Sequence, residues 1–257
     1  MRLARFFLKA ANFALSAAVF LSFLVIGAFS VYALWDNAQI YAAVDDVQAS
    51  LLAFKPPADD GTGADAAASF AELKKINPDV CAWLMLDNTA IDYPIVQGAD
   101  NLSYINTDVY GNFALSGSIF LDSDCDSAFR TAYALLYGHH MDNSKMFGDL
   151  DLYKDERFFR ENRSGVLILP DRTYRLDLFA CLLLPASENA IFAPTQWAEN
   201  IDGLLEFVPD HALFFEPDVL DALSSEESPQ ILAMSTCSSE FTDARTVVLA
   251  AMRPLSE

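Results

Sequence analysis

The chain has 257 residues, 53% of them hydrophobic, and carries 36 acidic against 16 basic side chains for a formal net charge of −20 at pH 7. Such a length and apolar content allow one large domain or two small ones with a substantial core. An acidic surface with no Lys/Arg cluster after the first 35 residues lacks the main driver of nucleic-acid binding, so no nucleic-acid partner is expected.

From Ala10 to Trp35 the chain is almost uninterrupted Ala, Phe, Leu, Val and Ile, with only Asn12, Ser16, Ser22 and Ser30 as polar breaks. That run is long enough to cross a bilayer as a helix. Arg2, Arg5 and Lys9 precede it and the first acid is Asp36, which predicts an N-terminus inside the cell and everything after Trp35 outside. Tyr32 and Trp35 suit the outer interface. The first 35 residues contribute +3, so the remainder carries −23. A cleaved signal peptide is the competing reading, since Val31-Tyr32-Ala33 has the small-residue spacing of a cleavage site, but the apolar run exceeds a typical signal core. The expected organisation is a cytoplasmic N-terminus at 1–9, a transmembrane anchor at 10–35, a helical stalk and linker at 36–66, and a folded domain at 67–257.

Asp36 to about Phe54 reads as a helix, with Ile40, Val44, Val47 and Leu51 at three- and four-residue spacing. Pro56-Pro57 stops it, and residues 58–66 read as a flexible linker. Ser69 is expected to start a short helix with Phe70, Leu73 and Ile76 on one face. Eight β-like runs follow: Val80–Leu86, Ile91–Val96, Ser118–Leu121, Ala132–Tyr137, Gly165–Leu169, Tyr174–Leu184, Gln230–Met234 and Arg245–Met252. Short strands at this spacing argue for a barrel or sandwich. Between the sixth and seventh, Thr195 is expected to cap a helix through Val208 with Trp197, Ile201, Leu204, Leu205 and Val208 as its apolar stripe, and Pro217–Leu223 to form another.

Two of these runs end in reactive side chains. Ile231 to Met234 stops in Ser235-Thr236-Cys237, and Arg245 opens the next strand. A hairpin would set thiol and guanidinium side by side at one end of a sheet. A cysteine beside a fixed positive charge ionises more readily, and the thiolate is the nucleophile. Arginine's rigid fork of donors also suits a substrate carbonyl or a developing oxyanion. Ala134 to Tyr137 ends in Gly138-His139-His140-Met141, the glycine being read as allowing a sharp exit from the strand. Two of the three histidines thus follow a core strand, and histidine is the usual proton-transfer partner of a cysteine nucleophile. Of the other cysteines, Cys81 and Cys181 lie in apolar runs as small hydrophobes, and Cys125 sits among acids that disfavour a thiolate. A free Cys237 leaves at most one disulfide among the other three. No Cys or His pair has metal-ligand spacing, so no metal site is expected.

Tyr137-Gly138-His139-His140-Met141, Met146-Phe147-Gly148-Asp149-Leu150 and Ser235-Thr236-Cys237-Ser238-Ser239-Glu240-Phe241 running on to Ala244-Arg245 together resemble the sortases, cysteine transpeptidases of Gram-positive cell surfaces, and within them class B. Asn77-Pro78-Asp79, Trp83, residues 91–98 and Gly117 to Asp122 add to the resemblance, which spans about residues 70 to 253 in the family's order. Met234 stands where the family usually has leucine, and Cys81-Ala82 precedes Trp83 where a glycine is common.

The resemblance implies a mainly β, eight-stranded sortase-like barrel with N-terminal helices and a helix-bearing connection before the Cys strand that walls the substrate groove. It makes 67–257 a catalytic domain of the cysteine-peptidase class, with Cys237 as nucleophile, His139 as acid and base, and Arg245 orienting the substrate and stabilising charge. It selects His139 because that residue directly follows the glycine, and leaves His140, with Ser235, Thr236 and Glu240, as substrate-binding residues. Glu240 or Asp142 could orient His139, an ordinary turn role being the alternative for each. The implied partners are secreted proteins with a C-terminal sorting motif and an amine of a peptidoglycan precursor or a pilin lysine. No cofactor is implied. Two other classes share the fold: a cysteine hydrolase, in which water resolves the acyl-enzyme, and a surface binding module without catalysis.

Overall fold

A computed structural model describes residues 2–57, 64–238 and 240–255; the expected linker residues 58–63, together with Ser239, fall outside the described residues. The chain divides between Ala43 and Val44 into two units. The first is wholly helical, part of helix α1 (Arg2–Leu52). Its apolar side chains, Phe13, Phe20, Phe23 and Leu34 among them, stand exposed, and the helix is long and apolar enough to cross a membrane.

The second unit is built around strands β1 (Val80–Leu86), β2 (Asp92–Val96), β3 (Ile119–Leu121), β4 (Tyr133–Tyr137), β5 (His140–Met141), β6 (Lys145–Met146), β7 (Ser164–Ile168), β8 (Thr173–Pro185), β9 (Ala212–Phe215), β10 (Ile231–Cys237) and β11 (Ala244–Pro254). Eight of them follow one another as β11-β10-β4-β3-β2-β1-β7-β8, and pairing of β8 with β11 closes the barrel. The pairs β2–β3 and β4–β10 are parallel and the other pairs around the barrel antiparallel. Closure leaves the barrel strands no open edge to attract another chain. All eight expected strands are present.

The apolar runs are continuous rather than alternating because these strands are covered on both faces. Inside lies the barrel core. Outside, helix α2 (Ala64–Ile76) meets β1, a 3-10 segment at Gly148–Lys154 meets β10 and β11, another at Pro194–Trp197 meets β4, and helices α5 (Asp202–His211) and α6 (Pro217–Ser225) meet β8. Leu135 and Leu136, neighbours on β4 and so on opposite faces, are both fully buried. Burying each contributes roughly 1.5–3 kcal/mol. Trp83 on β1 is also fully buried, and its indole donates to Asp92 Oδ1 at 2.6 Å while Lys55 holds Oδ2 at 2.6 Å.

Three local expectations differ from the structure. Helix α2 starts at Ala64 rather than Ser69, because Ala66 is buried and extends its apolar face. The expected single helix from Thr195 to Val208 is two segments: the Pro194–Trp197 turn, then α5, whose start at Asp202 is fixed by the Asn200 side chain accepting from the Asp202 amide at 2.6 Å. The short strand β9, paired to β8 beside β7, was not anticipated. Helices α3 (Glu156–Glu161) and α4 (Asn189–Phe192) complete the unit.

Candidate active site

Strand β10 turns polar after Met234, at Ser-Thr-Cys, and emerges from the covered region only at its last residue. Ser235 and Thr236 are still buried, and Cys237 is exposed. In the β10–β11 ladder Cys237 stands directly opposite Arg245. Residues paired across a sheet share a face, and Arg245 Nη1 donates to Cys237 Sγ at 3.0 Å. The expected thiol–guanidinium pair is therefore formed, with the arginine half-buried and fixed by its strand.

On the other side of β10 runs β4, in parallel register with Tyr137 beside Ser235. The ladder goes one step further, the Gly138 amide donating to the Ser235 carbonyl at 3.2 Å. Cys237 ends β10 two residues past Ser235, and His139 follows the end of β4 by two residues, beyond its pairing with β10. Gly138 is required for a different reason from the expected sharp exit: its φ is not in the left-handed region, and a Cβ there would meet the Phe147 ring at 2.7 Å. Phe147 in turn donates its amide to the His139 carbonyl at 3.0 Å. The hairpin β5–β6 turns through Asn143 and Ser144, both at φ 58, so that His140 lies opposite Met146.

The His139 ring points to neither acid considered as its orienter. Its Nε2 lies 2.8 Å from the main-chain carbonyl of Ile105, and among the described residues no ion pair joins it to a carboxylate. Glu240 is instead bound to Lys154, with Ser238 donating to the same carboxylate. His140 is exposed, and its Nε2 is 3.2 Å from Asp151 Oδ2. Asp151 also takes Lys154 at 2.9 Å and the Thr246 hydroxyl at 2.7 Å, so one network links β5, the 148–154 segment, β11 and the loop after the cysteine. Asp151 and Lys154 were not singled out from sequence; their one signal was an i, i+3 acid–base pair just past the Met146–Leu150 block. The Ser238 amide donates to the Ala244 carbonyl at 2.9 Å, so this main-chain donor next to the nucleophile is already engaged. Among the described residues, the buried hydroxyls of Ser235 and Thr236 have no hydrogen-bond partner.

Lys154 and Ser238 hold the Glu240 carboxyl far below the usual carboxylate range, at about 2. A depressed pKa makes this contact stabilising above the ordinary value of 4.5, with the contribution lost as pH falls towards 2. Lys154→Met is expected to return Glu240 towards 4.5 in a carboxyl NMR titration; a midpoint still near 2 contradicts the assignment of cause. Cys81, Cys125 and Cys181 are buried, and burial pushes each thiol up to about 12. Cys125, expected to be kept from ionising by its acidic neighbours, is thus held by burial first and by those acids second. All four cysteines are free thiols.

No family model matches the chain. Among solved structures, a class B sortase of Streptococcus pyogenes involved in pilus biogenesis is 32% identical, with a TM-score of 0.64 over 72% of this chain and 97% of that one. The chain belongs to the class B sortases. A mutant form of Clostridium perfringens sortase B is 27% identical, with a TM-score of 0.68 over 82% of this chain and 96% of its own. Sortase B of Listeria monocytogenes is 26% identical over 209 residues, 80% of this chain and 81% of the relative. This sortase is accordingly placed among the cysteine transpeptidases, and its closed eight-stranded barrel is theirs.

Proposed function

We propose that this sortase is a membrane-anchored enzyme that cleaves a C-terminal sorting motif of secreted proteins and joins the new end to an amine, on a peptidoglycan precursor or a pilin lysine. The observation that carries the reading is the 3.0 Å contact of Arg245 with the exposed Cys237 sulfur. The Cys237 thiolate attacks the scissile carbonyl, forming an S–C bond and an oxyanion that the Arg245 guanidinium meets. The C–N bond breaks as His139 gives its proton to the departing amine, leaving a thioester on Cys237. An acceptor amine then attacks, His139 takes its proton back, and the thiolate leaves as the new amide forms. His140 and Glu240, exposed at the rim, are assigned to peptide binding with Ser235 and Thr236, the latter two after the strand end opens.

Incubation with a sorting peptide, with and without an amine acceptor, tests the reaction. A ligated product that replaces the hydrolysed one when amine is added is expected; hydrolysis alone, unchanged by amine, would assign the chain to the hydrolases instead. The apolar run at 10–35 anchors the enzyme with Arg2, Arg5 and Lys9 inside and the catalytic domain, 67–257, outside. Protease added to intact cells should then digest residues 60–257 and spare the Met1 end. Access from outside to a reporter placed before residue 10 would reverse the orientation.

A further inference from the structure

The His139 ring is held by main chain, and the way it is held fixes which nitrogen can work. A carbonyl oxygen only accepts, so the 2.8 Å contact with Ile105 requires a proton on Nε2. Neutral imidazole has one N–H, which leaves Nδ1 as the nitrogen with a free lone pair. The Ile105 carbonyl occupies the place that a carboxylate fills in many Cys–His and Ser–His sites, where the third group sets tautomer and ring orientation.

That carbonyl is itself pinned from behind. Residues 113–118 fold back on 104–107: Thr107 bridges to Phe113, the Ala114 amide donates to Asn106 O at 3.0 Å, and Ser118 donates its amide to Tyr104 O at 3.0 Å and its hydroxyl to Thr107 O at 2.8 Å. At the centre of this clamp is Gly117, at φ +56, where a Cβ would stand 2.3 Å from Ile105 O and 2.6 Å from Tyr104 O. Both atoms are main chain and cannot swing aside as a side-chain end would. Only glycine allows the Ile105 carbonyl to stand where His139 Nε2 meets it.

We propose that Gly117 is a positioning residue of this sortase: it seats the Ile105 carbonyl so that His139 is kept protonated on Nε2 and exchanges protons with thiol and amine through Nδ1. The importance of this for turnover rests on the transpeptidase reading above, whereas the tautomer does not.

The experiment uses the full chain in detergent, labelled with 15N-histidine at its three histidines, with the His140→Ala spectrum assigning the ring signals. In the neutral ring of His139, the unprotonated resonance should be Nδ1, and the Nε2 proton should exchange slowly with water. Gly117→Ala, confirmed folded by the unchanged signals of His140 and His211, should lose that protection. It should also lower kcat roughly 10²-fold, as misplacement of a catalytic group by about 1 Å does, with KM for the sorting peptide nearly unchanged. Gly111→Ala is the control in the same loop: it too has positive φ, at +82, but its Cβ points into open space. It should keep wild-type kcat and tautomer. Should Gly117→Ala fail to fold, Ser118→Ala, which removes only the hydroxyl bond to the Thr107 carbonyl in the same clamp, takes its place: weakened Nε2 protection and a lowered kcat support the clamp, and both unchanged overturn it. A wild-type ring unprotonated at Nε2, a fast-exchanging Nε2 proton, or a folded Gly117→Ala chain with unchanged kcat overturns the proposal. Wild-type protein that is inactive yet shows the expected tautomer refutes the transpeptidase reading and leaves the positioning of His139 intact.

Discussion

Cys237→Ala is expected to abolish turnover and leave no acyl adduct with any sorting peptide, because the reaction passes through that sulfur and the chain offers no substitute for it. The other three thiols are buried, with pKa values pushed up to about 12, so at neutral pH they are neither ionised nor reachable. Cys81→Ser, Cys125→Ser and Cys181→Ser should therefore retain activity and lose only stability, through a polar hydroxyl placed in apolar packing. Brief alkylation of the native protein, mapped by peptide mass, should modify Cys237 first. Turnover by Cys237→Ala, or faster alkylation of Cys125, would contradict this account.

The second large effect separates two adjacent histidines. His139→Ala removes the proton-transfer group, which commonly contributes 10²–10⁴-fold, so kcat should fall by about that factor while the protein stays folded. His140→Ala removes an exposed ring paired with Asp151, a contact worth at most about 1 kcal/mol, and Lys154 and Thr246 still hold that carboxylate. Its rate should stay within about fivefold of wild type. Steady-state kinetics with circular dichroism on both variants decides the assignment. An active His139→Ala beside an inactive His140→Ala would exchange the two roles.

Most of the barrel is readable because its strands are covered on both faces, so each appears as an unbroken apolar run between turn residues. Leu135-Leu136 before Gly138 and Leu232-Ala233-Met234 before Ser235 are clear cases. The same runs reveal the site, since each changes abruptly to Gly-His-His or Ser-Thr-Cys, and on β10 solvent is reached at the last of these, Cys237. Strand β9 gave no such signal: Ala212–Phe215 is only partly buried and directly follows helix α5, which the apolar stripe alone carried no further than Val208. Helix α5 runs on through Pro209 to His211, without the amide hydrogen bond that proline cannot make. The partners of the catalytic side chains were the least legible part. His139 binds a main-chain carbonyl, and carbonyls carry no residue identity to read, while Lys154 reaches the loop after Cys237, and Asp151 reaches Thr246 on β11, from more than 80 residues away in sequence.

The most direct test is the intact mass of the full chain after brief exposure to a sorting peptide in the absence of amine. The account predicts an increase equal to the acyl fragment upstream of the scissile bond, mapped to Cys237, absent from Cys237→Ala, and discharged when an amine acceptor is added with appearance of the ligated peptide. Cleavage of the peptide with no mass increase at Cys237, or an adduct on another residue, would contradict it.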